Sequence, residues 1–352
     1  MTENESKKSR APFFSSARKL ILVLLGAAVI ALYPLPYYIT SPGDAKVLDP
    51  IIKVEGGDDD KGVFMLTTVR IGKANIPQYI WAKASDFKEI IPAEEVRQKD
   101  ESDEEYNQRQ LQMMEDSQHA ATVVAFKKSG EKVDISYHGV YVTGIIEGMP
   151  AEGVLKPGDI IVKMDSQKVN ETMQLLDYVA SKKEGDKVKV VYKRGGKQQS
   201  VTLPLAPFPK ELESSGKSKA GLGITYPVTD ISIKTDPPLN INASEIGGPS
   251  AGLMFTLEIM NQLQDKDLAK GRKIAGTGTM NLNEEVGPIG GISQKIVAAD
   301  ESGAEIFFAP VAANNYKDAV KAGKSIDTKM KIVPVKKLDD ALKYLEGLKE
   351  KK

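Results

Sequence analysis

Two side chains in the last third of the sequence could together act as the nucleophile and the base of a hydrolase. Ser250 stands in the sequence Gly-Gly-Pro-Ser-Ala-Gly, and Lys295 follows in Gly-Gly-Ile-Ser-Gln-Lys-Ile. A serine nucleophile needs a neighbouring group that accepts its proton. The chain has no cysteine and only two histidines, His119 and His138. A serine–lysine pair therefore explains hydrolytic chemistry better than a cysteine nucleophile or a triad that contains histidine.

The residues around Ser250 predict a tight turn that leads into a helix. Pro249 suits the first position of a helix, and apolar residues follow at helical spacing, namely Leu253, Met254, Leu257 and Met260. The unpaired N–H groups of a first helical turn stabilise a developing oxyanion, and the N–H groups around Gly248, Ser250 and Ala251 are the candidate donors. The same positive helix end favours a neutral, proton-accepting Lys295. The alternative is a serine that only packs at a glycine-rich helix start.

The composition excludes several classes of protein. Lys plus Arg and Asp plus Glu each total 48, so the net charge is zero, which argues against a general nucleic-acid binder. Zero cysteines exclude disulfides and thiolate metal sites, and two distant histidines argue against zinc. The sequence Ala-Gly-Lys-Ser at 322–325 resembles the end of a phosphate loop, but Asp318 replaces its first glycine. We therefore expect no metal, no cofactor and no nucleotide.

The N-terminus predicts a membrane anchor. Residues 1–19 form a basic, cytoplasmic segment that contains Lys7, Lys8, Arg10, Arg18 and Lys19. Residues 20–39 carry no charge, and about 20 apolar residues are enough to cross a bilayer. Because the basic side stays in the cytoplasm, the rest of the chain is expected outside. The alternatives are a cleaved signal peptide, whose small-residue cleavage site is missing here, and a buried core helix.

Residues 41–130 predict a β-hairpin followed by helices. The hairpin would pair the apolar runs Val47–Val54 and Gly62–Ile71. Residues 83–127 are charged and rich in helix formers, which predicts one or two surface helices. His119 lies there among polar residues, so we interpret it as an exposed or capping histidine.

Residues 131–206 combine short strands with an amphipathic helix at Thr172–Lys183. The sequences Gly-Val-Tyr-Val-Thr-Gly-Ile-Ile-Glu-Gly-Met-Pro-Ala and Leu-Lys-Pro-Gly-Asp-Ile-Ile resemble a bacterial PDZ domain. The resemblance implies a β-sandwich or barrel-like domain that adds a peptide as a strand and holds its terminal carboxylate in backbone N–H groups. The matching loop would contain Tyr137, His138, Gly139 and Val140. His138 lines this groove or is an ordinary loop residue.

Residues 207–220, rich in Pro, Ser, Gly and Lys, predict a linker.

Residues 221–347 resemble the proteolytic domain of Lon proteases. The resemblance rests on Gly-Pro-Ser-Ala-Gly at Ser250, Gly-Thr-Gly-Thr-Met-Asn-Leu at Thr277 and Val-Gly-Pro-Ile-Gly-Gly-Ile-Ser-Gln-Lys at Lys295. It implies that Ser250 is the nucleophile, that Lys295 is the general base and that the Thr277 hydroxyl orients the lysine. Many Lon proteases carry an acidic residue directly before the Gly-Pro-Ser turn. Gly247 stands there in this chain, so a role for that carboxylate is lost.

These segments predict an α+β multidomain protein with a transmembrane helix, a PDZ domain and a Lon-type α/β proteolytic domain. The layout resembles the PDZ-containing Lon-like peptidases of the bacterial cell surface. It implies a membrane-anchored, ATP-independent serine endopeptidase that cleaves extracytoplasmic peptides or unstructured segments, with lipid and peptide partners and a possible homo-oligomer. The alternatives are a PDZ scaffold with an inactive Lon-like domain and a sensor that cleaves only itself. The sequence leaves open the substrate, the oligomeric state and whether residues 41–82 pack on the Lon-like domain.

Overall fold

The computed structural model describes residues 13–57, 61–97, 101–209, 220–225, 227–243 and 246–351. The first part of the chain is a helix, a group of strands and three further helices. In order, its elements are α1 (Phe13–Leu32), β1 (Pro34–Val47), β2 (Ile52–Val54), β3 (Val63–Asn75), α2 (Ile76–Lys83), β4 (Glu89–Pro92), α3 (Ala93–Val96) and α4 (Asp103–Ser129).

The predicted anchor at residues 20–39 extends too far. The helix ends at Leu32, and residues 34–39 belong to β1, which pairs with β3 and β4. Pro34 and Pro36 explain the change, because proline lacks the N–H that a continuing helix needs. Within the described residues, the structure contains no helix that combines the length and the apolar character needed to cross a membrane.

The middle of the chain forms a small β domain. Its elements are β5 (Lys132–Tyr141), β6 (Gly144–Ile145), β7 (Ile160–Met164), β8 (Gln167–Lys168), α5 (Thr172–Ala180), β9 (Lys187–Arg194), β10 (Lys197–Pro204), β11 (Ala206–Pro207), β12 (Ala220–Gly221), β13 (Ile224–Thr225) and β14 (Val228–Asp236). The main sheet has the order β10-β9-β7-β5-β14. A separate hydrophobic core fills it, with Val142, Ile161 and Val190 fully buried.

The last part alternates helices and strands. Its elements are β15 (Leu239–Ile241), α6 (Gly252–Gln262), β16 (Lys273–Gly276), β17 (Thr279–Met280), β18 (Val286–Gly287), α7 (Ile292–Glu301), β19 (Ile306–Pro310), α8 (Asn315–Ser325), β20 (Lys331–Val335) and α9 (Leu338–Glu346).

The first and last parts of the chain share one six-stranded sheet, in the order β20-β19-β16-β3-β1-β4. The strands from β20 to β3 are parallel, and β1 and β4 run antiparallel to their neighbours. Consecutive residues of a strand point to opposite faces: Phe307 packs with α7 and α8, while Phe308 packs with α4, α6 and α9. Helices therefore cover both faces of the sheet.

This sheet corrects the predicted hairpin. β1 pairs with β3, for example Lys46 with Leu66, whereas β2 pairs with the distant β15. Phe64 and Leu66 are buried in the same core as Phe255 of α6. Residues 41–82 therefore pack on the C-terminal part of the chain, which the sequence left open.

The β domain is an insertion in this α/β domain. β5 leaves directly after α4, and β14 returns beside it, with Lys132 paired to Asp236 and Tyr141 to Val228. Residues 220–236 thus belong with the β domain, because β13 pairs with β6 and β14 with β5. The predicted domain start at 221 is too early. Of the predicted linker, residues 210–219 lie outside the described residues.

The predicted one or two helices of residues 83–127 correspond to α3 and α4, but α4 is not wholly a surface helix. Ser102 and Glu105 form a capping box at its start, and Gly130 ends it in a left-handed conformation. Three acidic residues in its first turn and two lysines in its last turn complement the helix dipole. Its second half is buried, with Phe126 fully inaccessible. The polar residues of its first half made the whole segment resemble a surface helix, so the sequence pattern did not predict the buried second half.

Candidate active site

The turn before α6 holds Ser250 by its main chain. The Ser250 carbonyl accepts hydrogen bonds from the Gly278 N–H at 2.8 Å and from the Thr277 hydroxyl at 3.0 Å. Gly248 has φ of +85°, a left-handed conformation that suits glycine. The sequence Gly-Pro-Ser-Ala therefore forms the predicted tight turn. The side chain of Ser250 is half-buried.

Lys295 reaches this turn from the first turn of α7. Its Nζ lies 2.8 Å from Ser250 Oγ, 3.1 Å from Thr277 Oγ1 and 2.8 Å from the carbonyl oxygen of Thr67. The structure thus brings together the three residues Ser250, Lys295 and Thr277 that the sequence singled out. All three oxygens are neutral, so these contacts do not form an ion pair.

Burial sets the charge of the lysine. Lys295 is only 2% exposed, and this desolvation lowers the pKa of its amine from 10.5 to about 7. A neutral amine has two N–H groups and one lone pair. It can donate to Thr67 and Thr277 while its lone pair accepts the Ser250 hydroxyl proton. The geometry therefore suits a general base near neutral pH.

Thr67 is the site residue that sequence reasoning missed. It lies in β3, more than 180 residues before Ser250 in the sequence. Its buried side chain donates to the Gly276 carbonyl at 3.1 Å, which ties β3 to β16. Its contribution to Lys295 is a main-chain oxygen, which every residue type carries, so the sequence contains no signal for it.

Two of the predicted oxyanion donors, Gly248 and Ala251, differ in their surroundings. The Gly248 N–H already donates to the Gln110 carbonyl of α4 at 2.9 Å, so the structure gives this predicted donor another partner. Ala251 stands at the N-cap of α6, where its carbonyl accepts from the Phe255 N–H at 2.9 Å. The start of α6 places Ala251 beside Ser250, as an oxyanion donor requires.

The predicted peptide-binding loop is not a loop. Tyr137, His138, Gly139 and Val140 lie in β5, an interior strand between β7 and β14. Val140, for example, pairs with Thr229 on one side and Ile161 on the other. β7 pairs only with Val140 and Tyr141, and the rest of β5 pairs with β14 alone, so these four residues lie in a strand rather than in the predicted loop. The His138 Nε2 lies 2.7 Å from Ser232 Oγ across the β5–β14 pair.

His119, the other histidine, is half-buried in α4 rather than exposed. Burial lowers its pKa, while Glu115 and Asp230 act in the opposite direction. It lies outside the Ser250 site. Among the described residues, no group of histidine, aspartate and glutamate side chains could hold a metal ion.

Two known families match parts of this chain. Residues 110–205 match the PDZ domain family, and residues 241–346 match the C-terminal proteolytic domain of Lon protease. The Lon match contains Ser250, Thr277 and Lys295, whereas Thr67 and Gln110 lie before it. The chain therefore carries a PDZ domain and a Lon-type serine peptidase domain.

Curated relatives support the second match. The Lon protease of Metamycoplasma arthritidis is 36% identical over 104 residues, which are 30% of this chain and 12% of the relative. That of Trichlorobacter lovleyi is 38% identical over 27% of this chain and 11% of the relative. The chain thus spans about an eighth of these relatives. The solved PDZ domain of an SdrC-like protein from Listeria monocytogenes is 35% identical, covering 26% of this chain and 90% of that domain, with a TM-score of 0.23.

Proposed function

We propose that this chain is a membrane-anchored serine endopeptidase that works without ATP, with the Lon-type domain as its catalytic part. The observation that carries the proposal is the 2.8 Å contact between Lys295 Nζ and Ser250 Oγ. Burial lowers the pKa of this lysine to about 7, so a large fraction of the amine is neutral at physiological pH. A neutral amine in hydrogen-bond contact with a hydroxyl can remove its proton.

In the proposed reaction, Ser250 Oγ attacks the carbonyl carbon of the scissile bond while its proton passes to Lys295. The N–H groups of Ser250 and Ala251 at the start of α6 stabilise the resulting oxyanion. Lys295 then gives the proton to the amine nitrogen as the C–N bond breaks, which leaves an ester on Ser250. Water attacks this ester, Lys295 accepts a proton from the water, and the proton returns to Ser250 as the acid product leaves.

Cleavage of an unstructured peptide by the full-length protein tests this function. We expect Ser250→Ala and Lys295→Arg each to lower kcat by more than about a thousandfold, because arginine keeps the charge but cannot lose its proton. Ser302→Ala is the matched control, since its hydroxyl bonds only to the Ala298 carbonyl of its own helix. Full activity of Ser250→Ala contradicts the proposal. Cleavage of the chain itself without cleavage of added peptide supports the self-cleaving alternative.

Independence from ATP is supported by the place of the Gly-Lys-Ser sequence. Residues 323–325 lie in the last turn of α8, whereas a phosphate loop joins a strand to the start of a helix. We expect equal peptide cleavage with and without ATP. A requirement for ATP contradicts this part of the proposal.

The PDZ domain is proposed to select an unstructured peptide or an exposed protein segment. Because the predicted binding loop is part of β5, which pairs with β14 along its length and with β7 at Val140 and Tyr141, we look to another strand edge for the peptide. Among the described strands, β13 pairs only with β6. The chain just after the end of β13 lies near α5, since the Thr172 hydroxyl donates to the Pro227 carbonyl at 3.3 Å. We therefore propose the β13 edge as the place where a peptide strand is added.

The membrane anchor is proposed from the sequence, with the basic residues before Leu20 on the cytoplasmic side and the catalytic domain outside. The described side chains from Leu20 to Leu25 are all more than half exposed, and exposed apolar runs of this kind need a covering surface. Flotation of the full-length protein with lipid vesicles tests the proposal. Protein that fails to float with vesicles contradicts it.

A further inference from the structure

α4 holds the turn that carries Ser250 at two points. The Gly248 N–H donates to the Gln110 carbonyl at 2.9 Å, and the Ser117 hydroxyl donates to the Pro249 carbonyl at 3.0 Å. Residues 110 and 117 are two helical turns apart and so lie on one face of α4. α4 precedes the segment that matches the Lon proteolytic domain, so this support comes from outside that segment.

The contact is close enough to require glycine in the turn. A Cβ on Gly247 would lie 2.9 Å from Gln110 Cβ, and a Cβ on Gly252 would lie 2.9 Å from Ser117 Oγ. Both distances are shorter than those at which a Cβ atom contacts another side chain in folded proteins. The glycine that stands where many Lon proteases have an acidic residue therefore makes room for α4.

The Ser117 hydroxyl bonds outside its own helix. A serine or threonine inside a helix can donate to the carbonyl four residues earlier, as Thr122 does to Gln118 at 2.8 Å. Ser117 is 4% exposed and donates to Pro249 of the turn instead. Leaving a buried hydroxyl without a partner costs free energy. The bond therefore holds the Pro249 carbonyl in place as well as the Ser117 side chain.

The bond to Pro249 also determines where a neighbouring N–H points. The Pro249 carbonyl and the Ser250 N–H belong to one planar peptide unit, and in a trans unit they point in opposite directions. Holding the carbonyl toward α4 therefore turns the Ser250 N–H away from α4. This N–H is one of the oxyanion donors of the proposed reaction.

We propose that Ser117 is a positioning residue that orients the Ser250 N–H for oxyanion stabilisation. The inference rests on the proposed peptidase function. Ser117 does not touch Lys295, whose partners are Ser250, Thr277 and Thr67. Loss of the Ser117 hydroxyl should therefore reduce transition-state stabilisation and leave the base unchanged.

The test compares two isosteric losses of a buried hydroxyl in the same helix of the full-length protein. For Ser117→Ala we expect kcat on a short unstructured peptide to fall about tenfold, less than the loss of a whole oxyanion donor. KM, the pH midpoint of the rate and the melting temperature should stay close to those of the unmodified protein. For Thr122→Val, which loses a hydroxyl bonded within α4, kcat should not change. Labelling of Ser250 with a fluorophosphonate counts the active sites in each sample.

Ser117→Cys provides a second variant that keeps the side-chain volume but donates only weakly. We expect a kcat between those of Ser117→Ala and the unmodified protein. An unmodified kcat in Ser117→Ala and Ser117→Cys overturns the inference. So does an equal loss in Thr122→Val, which would show general weakening of α4. If Ser250→Ala stays active, the proposed peptidase function fails instead.

Discussion

At the scale of single residues, the protonation of Lys295 controls the proposed chemistry. Its three partners are neutral oxygens, so no carboxylate offsets the cost of burying an ammonium group. The pKa of the amine is lowered to about 7 by burial alone. Compared with Lys128, whose pKa is raised by hydrogen bonds to Asp339 and Glu284, the Lys295 site favours the free base.

The first prediction concerns the pH dependence of the rate. The base form of Lys295 exists above its pKa, so kcat/KM for a short peptide should rise with pH through a midpoint near 7, the value set by burial. Below that midpoint the rate should fall tenfold per pH unit, as expected for one essential proton. Rates between pH 5.5 and 9 measure this.

Melting curves at each pH serve as the control, because they separate loss of the base from loss of the fold. A rate that is constant between pH 6 and 8 argues against Lys295 as the base. A midpoint near that of an unperturbed lysine, about 10.4, argues against the buried environment.

At the scale of elements, α4 joins the two domains. One part of it supports the Ser250 turn, and its end leads directly into β5 of the PDZ domain. Asp116, next to Ser117, has its pKa raised to about 6 by burial, with Glu115 and Asp230 of β14 acting in the same direction and a hydrogen bond from Gln112 opposing them. An aspartate in this place is costly to ionise.

The second prediction is that Asp116→Asn stabilises the protein above pH 6. The folded-state pKa of Asp116 lies above the ordinary value of 3.8, so the folded protein binds more protons between these values and loses stability as pH rises through them. At pH 8 we expect a gain of about 1–2 kcal/mol, after a discount for partial exposure from about 1.4 kcal/mol per pKa unit. At pH 4 the gain should be small.

Denaturant unfolding at the two pH values measures this difference. His119 and Tyr141 face the same charges, Glu115 and Asp230. Glu115→Gln is therefore the matched control, and its exposed side chain predicts little change. Equal stability of Asp116→Asn and the unmodified protein at pH 8 contradicts the prediction.

At the scale of the whole molecule, the PDZ domain is an insertion held by one antiparallel ribbon. Lys132 and Asp236 are paired residues at the base of this ribbon, and paired residues of antiparallel strands lie about 5 Å apart. The two domains have separate cores, one around Phe255 and Phe308 and one around Ile161. The α/β domain therefore has no need of the PDZ core to bury its own apolar residues.

The third prediction follows from the position of the ribbon. Removing residues 133–235 and joining Lys132 to Asp236 through Asn-Gly, a two-residue turn that suits antiparallel strands, should give a protein with a cooperative melt. It should cleave a generic unstructured peptide at a rate similar to that of the whole protein and lose most of its rate on a natural substrate. Removing only residues 131–205 should also leave a cooperative melt but expose residues 220–236 to proteolysis, because β14 then loses its partner β5.

Melting curves and peptide cleavage of both shortened proteins measure this outcome. A well-folded protein without residues 133–235 that cleaves the natural substrate at full rate would show that the PDZ domain does not select substrate. In the protein without residues 131–205, resistance of residues 220–236 to proteolysis contradicts the assignment of β14 to the PDZ domain.

The fourth prediction concerns Trp81, the single tryptophan of the chain. It lies on α2, is 62% exposed and contacts the Lys88 amine over its ring at 3.9 Å. Pro34, just after α1, pairs with Asn75, just before α2, so the end of α1 and the start of α2 are neighbours. If α1 anchors the protein, Trp81 should lie at the bilayer surface, where tryptophan is favoured.

Fluorescence of the full-length protein in vesicles measures this directly, because the tryptophan emission comes from Trp81 alone. We expect a blue shift on reconstitution and quenching by brominated lipids. Protein that floats with vesicles but shows no quenching would place α2 away from the lipid and leave the anchor proposal intact. Trp81→Phe is the control for emission from other sources.

The sequence by itself determined the two types of domain and predicted the Ser250–Lys295 pair of the proposed chemistry. The turn at Ser250, the helix that carries Lys295 and the Thr277 segment are local patterns, and each forms from residues close together in the chain. Because a nucleophile and its base are specific side chains, candidates for both can be identified from the residue types in the sequence. The two family matches, at residues 110–205 and 241–346, overlap the segments that the patterns indicated.

Only the tertiary structure decided how those segments are joined and supported. The Thr67 carbonyl, the bonds from α4 to the Ser250 turn and the pairing of β5 with β14 depend on main-chain groups that all residues share. The contacts also connect residues far apart in sequence, such as Ser117 and Pro249, which are separated by 132 positions. Long-range strand pairing is set by packing of the whole chain rather than by local preference, so the insertion of the PDZ domain became visible only in the folded molecule.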